Sequence, residues 1–308
     1  MLLTDPRAAL PNWSLMRLPA ASSRYPRMLL LRRPDGFRRA DDSALDNVYM
    51  QACGQACNFD AERAIDQWQG LADALRAAGH LVLALPGDPA TPEAVFPNNV
   101  YATAPGRLLI GAMRHPSRQR EALDPVVRQR LGRELGLQVH DLSGRAFVAE
   151  LTGSLVIDRG RGVGYCGLSE RCDRAGSAAM DEAFGLALTF RFQLAPDEYH
   201  TNVVMSALGS RGLLLHPEGL ADAAWVEALR AIHGDALVEV DAAEKQNFVA
   251  NCIALADDQL WMSARAADAL RPATLARIEG LGFSIHSSPL DEIEKAGGSL
   301  RCMVGEIY

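Results

Sequence analysis

Apolar positions along this chain fall into two rhythms, short dense runs and longer stretches with a single apolar face. Met28-Leu29-Leu30-Leu31 is a dense run and predicts a strand. Residues 60–78 then place Ala61, Ile65, Trp68, Ala72 and Leu75 at helical spacing, with Gly79 as the stop. Leu81-Val82-Leu83-Ala84-Leu85 predicts a buried strand closed by Pro86. The same alternation returns with Leu108-Leu109-Ile110, a helix over roughly 119–135, Val139, and a strand near 154–158. A helix over 176–185 leads into Leu186-Ala187-Leu188-Thr189-Phe190. Helices near 222–233 and 264–280 precede Ala236-Leu237-Val238-Glu239-Val240 and Phe283-Ser284-Ile285, with strands expected at 212–215 and 259–262. Two short strands and a helix, recurring four or five times, predict an α/β protein of repeated units that bury their apolar faces against one another. Residues 1–27, rich in proline, serine and arginine, read as an irregular approach segment to one catalytic domain over 1–308.

Composition narrows the class without naming the chemistry. The 308 residues are 48% hydrophobic and 22% charged, as in a soluble globular protein. A formal charge of -7 and no long basic run argue against nucleic acid as a partner. No apolar stretch approaches the roughly 20 residues that cross a bilayer, and the N-terminus lacks the pattern of a secretion signal, so a cytoplasmic location is expected. Six scattered cysteines are expected to be reduced thiols, and Cys53 with Cys57 lacks the further ligands zinc needs, so no metal is expected. No Gly-x-Gly-x-x-Gly or phosphate-loop motif appears, and no cofactor is expected.

Four segments set polar side chains among apolar ones. Val95-Phe96-Pro97-Asn98-Asn99-Val100-Tyr101 reads as a strand interrupted by two amides, or as a turn, which asparagine also favours. In Phe147-Val148-Ala149-Glu150-Leu151-Thr152-Gly153-Ser154, an unpartnered Glu150 between apolar runs would be costly, so it meets a partner or a pocket. In Tyr199-His200-Thr201-Asn202-Val203-Val204-Met205, His200 opens a strand-like run and suits general acid and base work. His115 competes with it, but lies in an arginine-rich setting better suited to holding a carboxylate. Gly297-Gly298-Ser299-Leu300-Arg301-Cys302-Met303 supplies a thiol whose thiolate Arg301 is expected to favour. A buried cysteine ending a core strand is the plainer reading of that last segment.

Taken together, the four segments resemble the guanidine-modifying enzyme superfamily of arginine deiminases, dimethylarginine dimethylaminohydrolases and amidinotransferases. The nearest likeness is to the bacterial citrulline-utilisation hydrolase branch. The resemblance implies a five-bladed, pseudo-symmetric α/β propeller of ββαβ-like units with the site in its central channel. It implies Cys302 as nucleophile, His200 as proton carrier and Glu150 as a carboxylate gripping substrate nitrogens. Asn99 and Asn202 stand where relatives carry aspartates, which leaves the pocket less negative and suited to a neutral ureido group or to an amidine held by Glu150. Leu151 stands where glycine is usual, and Val100 where the nearest branch has tryptophan. Arg118 or Arg120 is expected to meet a substrate carboxylate. The implied function is a cysteine-dependent hydrolase of a guanidino or ureido C–N bond, acting on a small molecule without metal or organic cofactor, as a possible homo-oligomer. An amidinotransferase using an amine in place of water, or a non-catalytic binding protein on the same fold, are the alternatives.

Overall fold

The computed structural model describes residues 1–15, 23–54 and 57–308. Five small sheets organise it, four built on a hairpin and one on an antiparallel pair of strands distant in sequence. Gly305–Ile307 lies antiparallel to Met28–Arg32, which runs parallel to Val82–Leu85 across the helix Ala61–Ala77. In a second sheet Tyr101–Ala104 and Arg107–Ile110 form the hairpin and Gln138–Asp141 the parallel strand. A third joins Leu155–Asp158, Val163–Leu168 and Leu188–Gln193, with Leu2–Leu3 added in parallel. The last two pair Met205–Leu208, Gly212–Leu215 and Leu237–Glu239, then Ile253–Ala254, Gln259–Ser263 and Ser284–Ser288. Hairpin, helix and parallel strand therefore recur, and the chain is α/β.

The five-bladed propeller implied by the resemblance is corrected here. No sheet among the described residues is closed into a propeller or barrel; one has four strands, four have three, and each is open with two edge strands. The edges end because they are short and turned to water, as in Gln138–Asp141, where all four residues are exposed. In the segment expected to be irregular, Leu2–Leu3 pairs with Thr189 and Phe190 and Ala9–Leu15 is helical, while residues 16–22 lie outside the described residues.

Local signals explain most element ends. Asp60 caps the Ala61–Ala77 helix by accepting from the Arg63 N–H at 3.0 Å. Gly79 stops it at φ +92°, a conformation open to glycine. Trp68, Leu71 and Leu75 turn inward, each contributing on the order of 2–3 kcal/mol by leaving water. They pack in one core with Leu29, Leu31, Trp261, Leu300 and Cys302. The single helix expected over 119–135 is instead Pro116–Ala122, Pro125–Val127 and a π-helical turn Arg128–Glu134. Pro125 divides it, since proline has no N–H to continue the ladder. Pro272 likewise splits the helix expected over 264–280 into Ala264–Asp268 and Pro272–Gly280.

Among the described residues no helix is long and apolar enough to cross a membrane, and no cluster of three or more histidine, cysteine or acidic side chains could hold a metal. Cys53 and Cys57 are joined as a disulfide, which corrects the expectation of six reduced thiols; Cys166, Cys172, Cys252 and Cys302 are free.

Candidate active site

Each of the four polar segments forms a single buried helical turn that ends where an antiparallel strand pair begins. Pro97–Asn99 precedes Tyr101–Ala104, Leu151–Ser154 precedes Leu155–Asp158, Thr201–Val203 precedes Met205–Leu208, and Leu300–Met303 precedes Gly305–Ile307. Of the two readings of the Asn99 segment the turn is the one formed, and the strand expected to open at His200 starts instead at Met205. Pro97 at the first helical position fixes the φ a turn needs. Gly153 leaves room that nothing larger could: a Cβ there would stand 2.8 Å from Cε1 of His200. Leu151, where glycine was expected, holds φ +21° while fully buried, so the step after Glu150 carries backbone strain.

Glu150 and His200 form the centre of a buried polar relay. His200 Nε2 lies 2.8 Å from Glu150 Oε2, and Arg171 Nη1 donates to the same oxygen at 3.3 Å. Glu150 Oε1 accepts from the Arg114 N–H at 3.2 Å. Both carboxylate oxygens are thus engaged by the protein. Burial pushes the Glu150 carboxyl up, but Arg171 and the His200 bond outweigh it and hold the group well below its ordinary value. Burial lowers the His200 imidazole, and the pull of Glu150 does not restore it. Arg171 is anchored in turn by Asp46, whose Oδ1 accepts from its Nε at 2.9 Å and its Nη2 at 2.5 Å. His115 also leans on Asp46, at 2.9 Å, and takes no place in the cavity.

Cys302 sits opposite, 4% exposed. Asn251 Nδ2 donates to its sulfur at 3.4 Å and Asn202 Nδ2 at 3.6 Å. Burial raises the thiol above its ordinary value, while Asn251, Arg301 and Asn202 each pull it down. Arg301 favours the thiolate as expected, but its guanidinium is already paired with Glu306 at 2.8 Å and burial outweighs it. Asn251 escaped the sequence reading. Its signal was available, since an amide in the apolar run Phe248-Val249-Ala250-Asn251-Cys252 stands just ahead of an antiparallel strand pair, like the other four segments.

Cys302, His200, Asn99, Arg118, Arg171 and Glu93 line one cavity of about 20 Å³, room for about one water. Arg118 is 2% exposed and donates to Glu93 O, Phe96 O and Asn99 Oδ1 at 2.7, 2.8 and 2.6 Å. Arg120 is exposed and lines no part of it. Glu150 stands behind His200 rather than in the wall. Glu93 and Arg171 gave no motif signal in the sequence; only the fold brings them in.

The amide contacts make a direct forecast. Asn251→Ala removes the nearer donor to the sulfur, so the Cys302 thiol rises further above its ordinary value. Alkylation by iodoacetamide, followed across pH, reads this as a displaced alkaline limb; an unmoved limb with lowered stability would reduce Asn251 to packing.

The family model described as N,N dimethylarginine dimethylhydrolase, eukaryotic, matches residues 33–308. The bifunctional arginine dihydrolase/ornithine cyclodeaminase AgrE of Nostoc sp. (strain PCC 7120) is 23% identical over 243 residues, covering 79% of this chain. The chain spans about a third of that relative's length, 33%. Among solved structures, the substrate-bound N-terminal domain of ArgZ, an arginine dihydrolase from the ornithine-ammonia cycle in Cyanobacteria, superposes with TM-score 0.78 at 20% identity, over 91% of this chain and 97% of that one. A dimethylarginine dimethylaminohydrolase adduct with 4-chloro-2-hydroxymethylpyridine gives TM-score 0.68 at 19% identity, over 91% and 99%. These likenesses establish a shared fold.

Proposed function

This chain belongs to the N,N dimethylarginine dimethylhydrolase family, and from that premise we propose that it hydrolyses a C–N bond of a guanidino or ureido compound through a covalent adduct on Cys302. The observation that carries the reading is the shared cavity of Cys302 and His200, with Glu150 fixing the far side of the imidazole. With Nε2 held by Glu150, Nδ1 is the nitrogen left for proton transfer. In the resting site the thiol and the imidazole are both kept neutral by burial. Substrate aligned over the sulfur makes transfer from Cys302 to His200 productive. The thiolate attacks the central carbon, forming a C–S bond, and His200 returns the proton to the departing amine. Water then attacks the adduct, His200 accepts its proton, and the C–S bond breaks to restore the thiol. Glu150, expected to grip substrate nitrogens, acts in this reading by holding His200.

The amide positions favour a substrate with an acceptor. Asn99 spends its Oδ1 on Arg118, so its N–H₂ is the side available to the cavity. That donor suits a ureido oxygen or a neutral imine nitrogen better than a fully protonated guanidinium. Arg118 and Arg171 supply charge for a substrate carboxylate and Glu93 for an ammonium, which together suit an amino-acid end. Asn202 serves the sulfur, and Arg120 has no part in this reading.

The test is a panel of arginine, methylated arginine, agmatine and citrulline, with mass detection of both products, run with and without an amine acceptor. Hydrolysis predicts release of ammonia or an alkylamine with solvent oxygen entering the product. Turnover only with the amine present would make the chain an amidinotransferase, and no turnover with an unreactive Cys302 would make it a binding protein.

A further inference from the structure

Behind the Glu150 relay lie two thiols that the proposed chemistry does not use. Cys166, on the strand Val163–Leu168, and Cys172 are both fully buried, with their sulfurs 3.8 Å apart. Cys166 is held on both sides by the sheet, opposite Leu155 and Arg191. Cys172 lies in a tight loop, bridged to Ser169 and to Ala149, the residue before Glu150. Its preceding residue is Arg171, whose carbonyl accepts the Glu150 N–H at 3.2 Å and whose side chain holds the Glu150 carboxylate. The loop also forms part of the wall of an open cleft of about 720 Å³ that Cys172 lines. A small oxidant in that cleft is separated from the buried pair by this loop alone.

We propose that Cys166 and Cys172 are a redox-modification site: a peroxide joins them as a reversible disulfide that pulls Arg171 out of register with Glu150. A disulfide needs its sulfurs about 2.05 Å apart, so nearly half the present separation must close. The sheet fixes Cys166, and the loop bearing Cys172 makes the move. In the first step one thiolate attacks hydrogen peroxide, breaking the O–O bond to give a sulfenic acid and, after protonation, water. The second sulfur then attacks the sulfenic sulfur, forming S–S and releasing a second water. Two thiols and one peroxide thus give one disulfide and two waters, and a dithiol reductant reverses the change. The effect on turnover rests on the hydrolase reading above; the bond itself does not.

The experiment treats the full chain with graded hydrogen peroxide and maps its peptides without reduction. A linked Cys166–Cys172 peptide, 2 Da below the sum of its parts by the loss of two hydrogens and removed by dithiothreitol, is expected. Turnover should fall at least about tenfold as that peptide accumulates and recover on reduction, as expected when a buried relay is displaced. Cys166→Ala and Cys172→Ala, each checked for a native melting transition, should keep basal turnover and lose the dithiothreitol-reversible inhibition. Peroxide loss that is equal in the variants would trace to Cys302 and overturn the link to activity. Absence of the linked peptide in the unaltered chain would overturn the site while leaving the hydrolase reading standing. If the substrate panel shows no turnover, the peptide map still decides whether the bond forms.

Discussion

Replacing Arg171 by methionine is expected to destabilise the protein by about 3–5 kcal/mol, because it leaves Glu150 as an uncompensated charge in a site with no exposure. For a chain of this size that corresponds to a melting temperature lower by roughly 5–10 °C. The sign with pH follows from the direction of the Glu150 shift. Its carboxyl lies well below the ordinary value in the folded protein, so the stabilisation is present above the unfolded value of about 4.3 and is lost as pH falls through the folded one. The gap between the parent and Arg171→Met should therefore be full above about pH 4.3 and narrow as the pH falls below it. His200 has the opposite chemistry and the same trend: with its imidazole lowered by burial, its contribution is complete above the unfolded value of about 6.5 and declines on acidification. Turnover should also fall, since Glu150 without Arg171 draws a proton and no longer orients the imidazole. Thermal melts from pH 2 to 7 on both proteins check this; a constant difference across that whole range would detach Arg171 from the charge on Glu150.

How much of this was legible beforehand varies by element, for physical reasons. The Ala61–Ala77 helix was readable because its cap, apolar face and stop all lie within the segment itself. The helix over 119–135 was misread because its apolar spacing continues through Pro125, and periodicity carries no record of a missing N–H donor. The hairpins at 205–215 and 253–263 were half visible, as single apolar runs whose antiparallel partners lie within a few residues. At the site, Cys302, His200 and Glu150 stood out because a reactive or charged side chain inside an apolar run needs a reason. Their helical turns are invisible to the pattern, since three or four residues of helix leave no period to detect. Arg171, Glu93 and Asp46 could not be found this way. They lie among ordinary polar residues and matter only through contacts made across long stretches of chain, such as Arg171 with Asp46 over 125 positions.

Cys302→Ser is expected to abolish turnover, by on the order of 10⁴-fold or more, with little change in fold. A hydroxyl in the same seat keeps the size of the group and can still accept from Asn251 and Asn202, so binding survives. What it lacks is a nucleophile that His200 can deprotonate, because the imidazole is already weakened as a base by burial. Binding should be measured by calorimetry on the same substrate that the panel selects. Retained binding with lost turnover separates the chemistry of the sulfur from the shape of the cavity. The most direct measurement is rapid acid quench of the unaltered protein during turnover, followed by peptide mass analysis. A substrate-derived amidino or carbamoyl mass on the peptide bearing Cys302, absent from Cys302→Ser, is the predicted result. Full turnover with no such mass, or the mass on another residue, would contradict it.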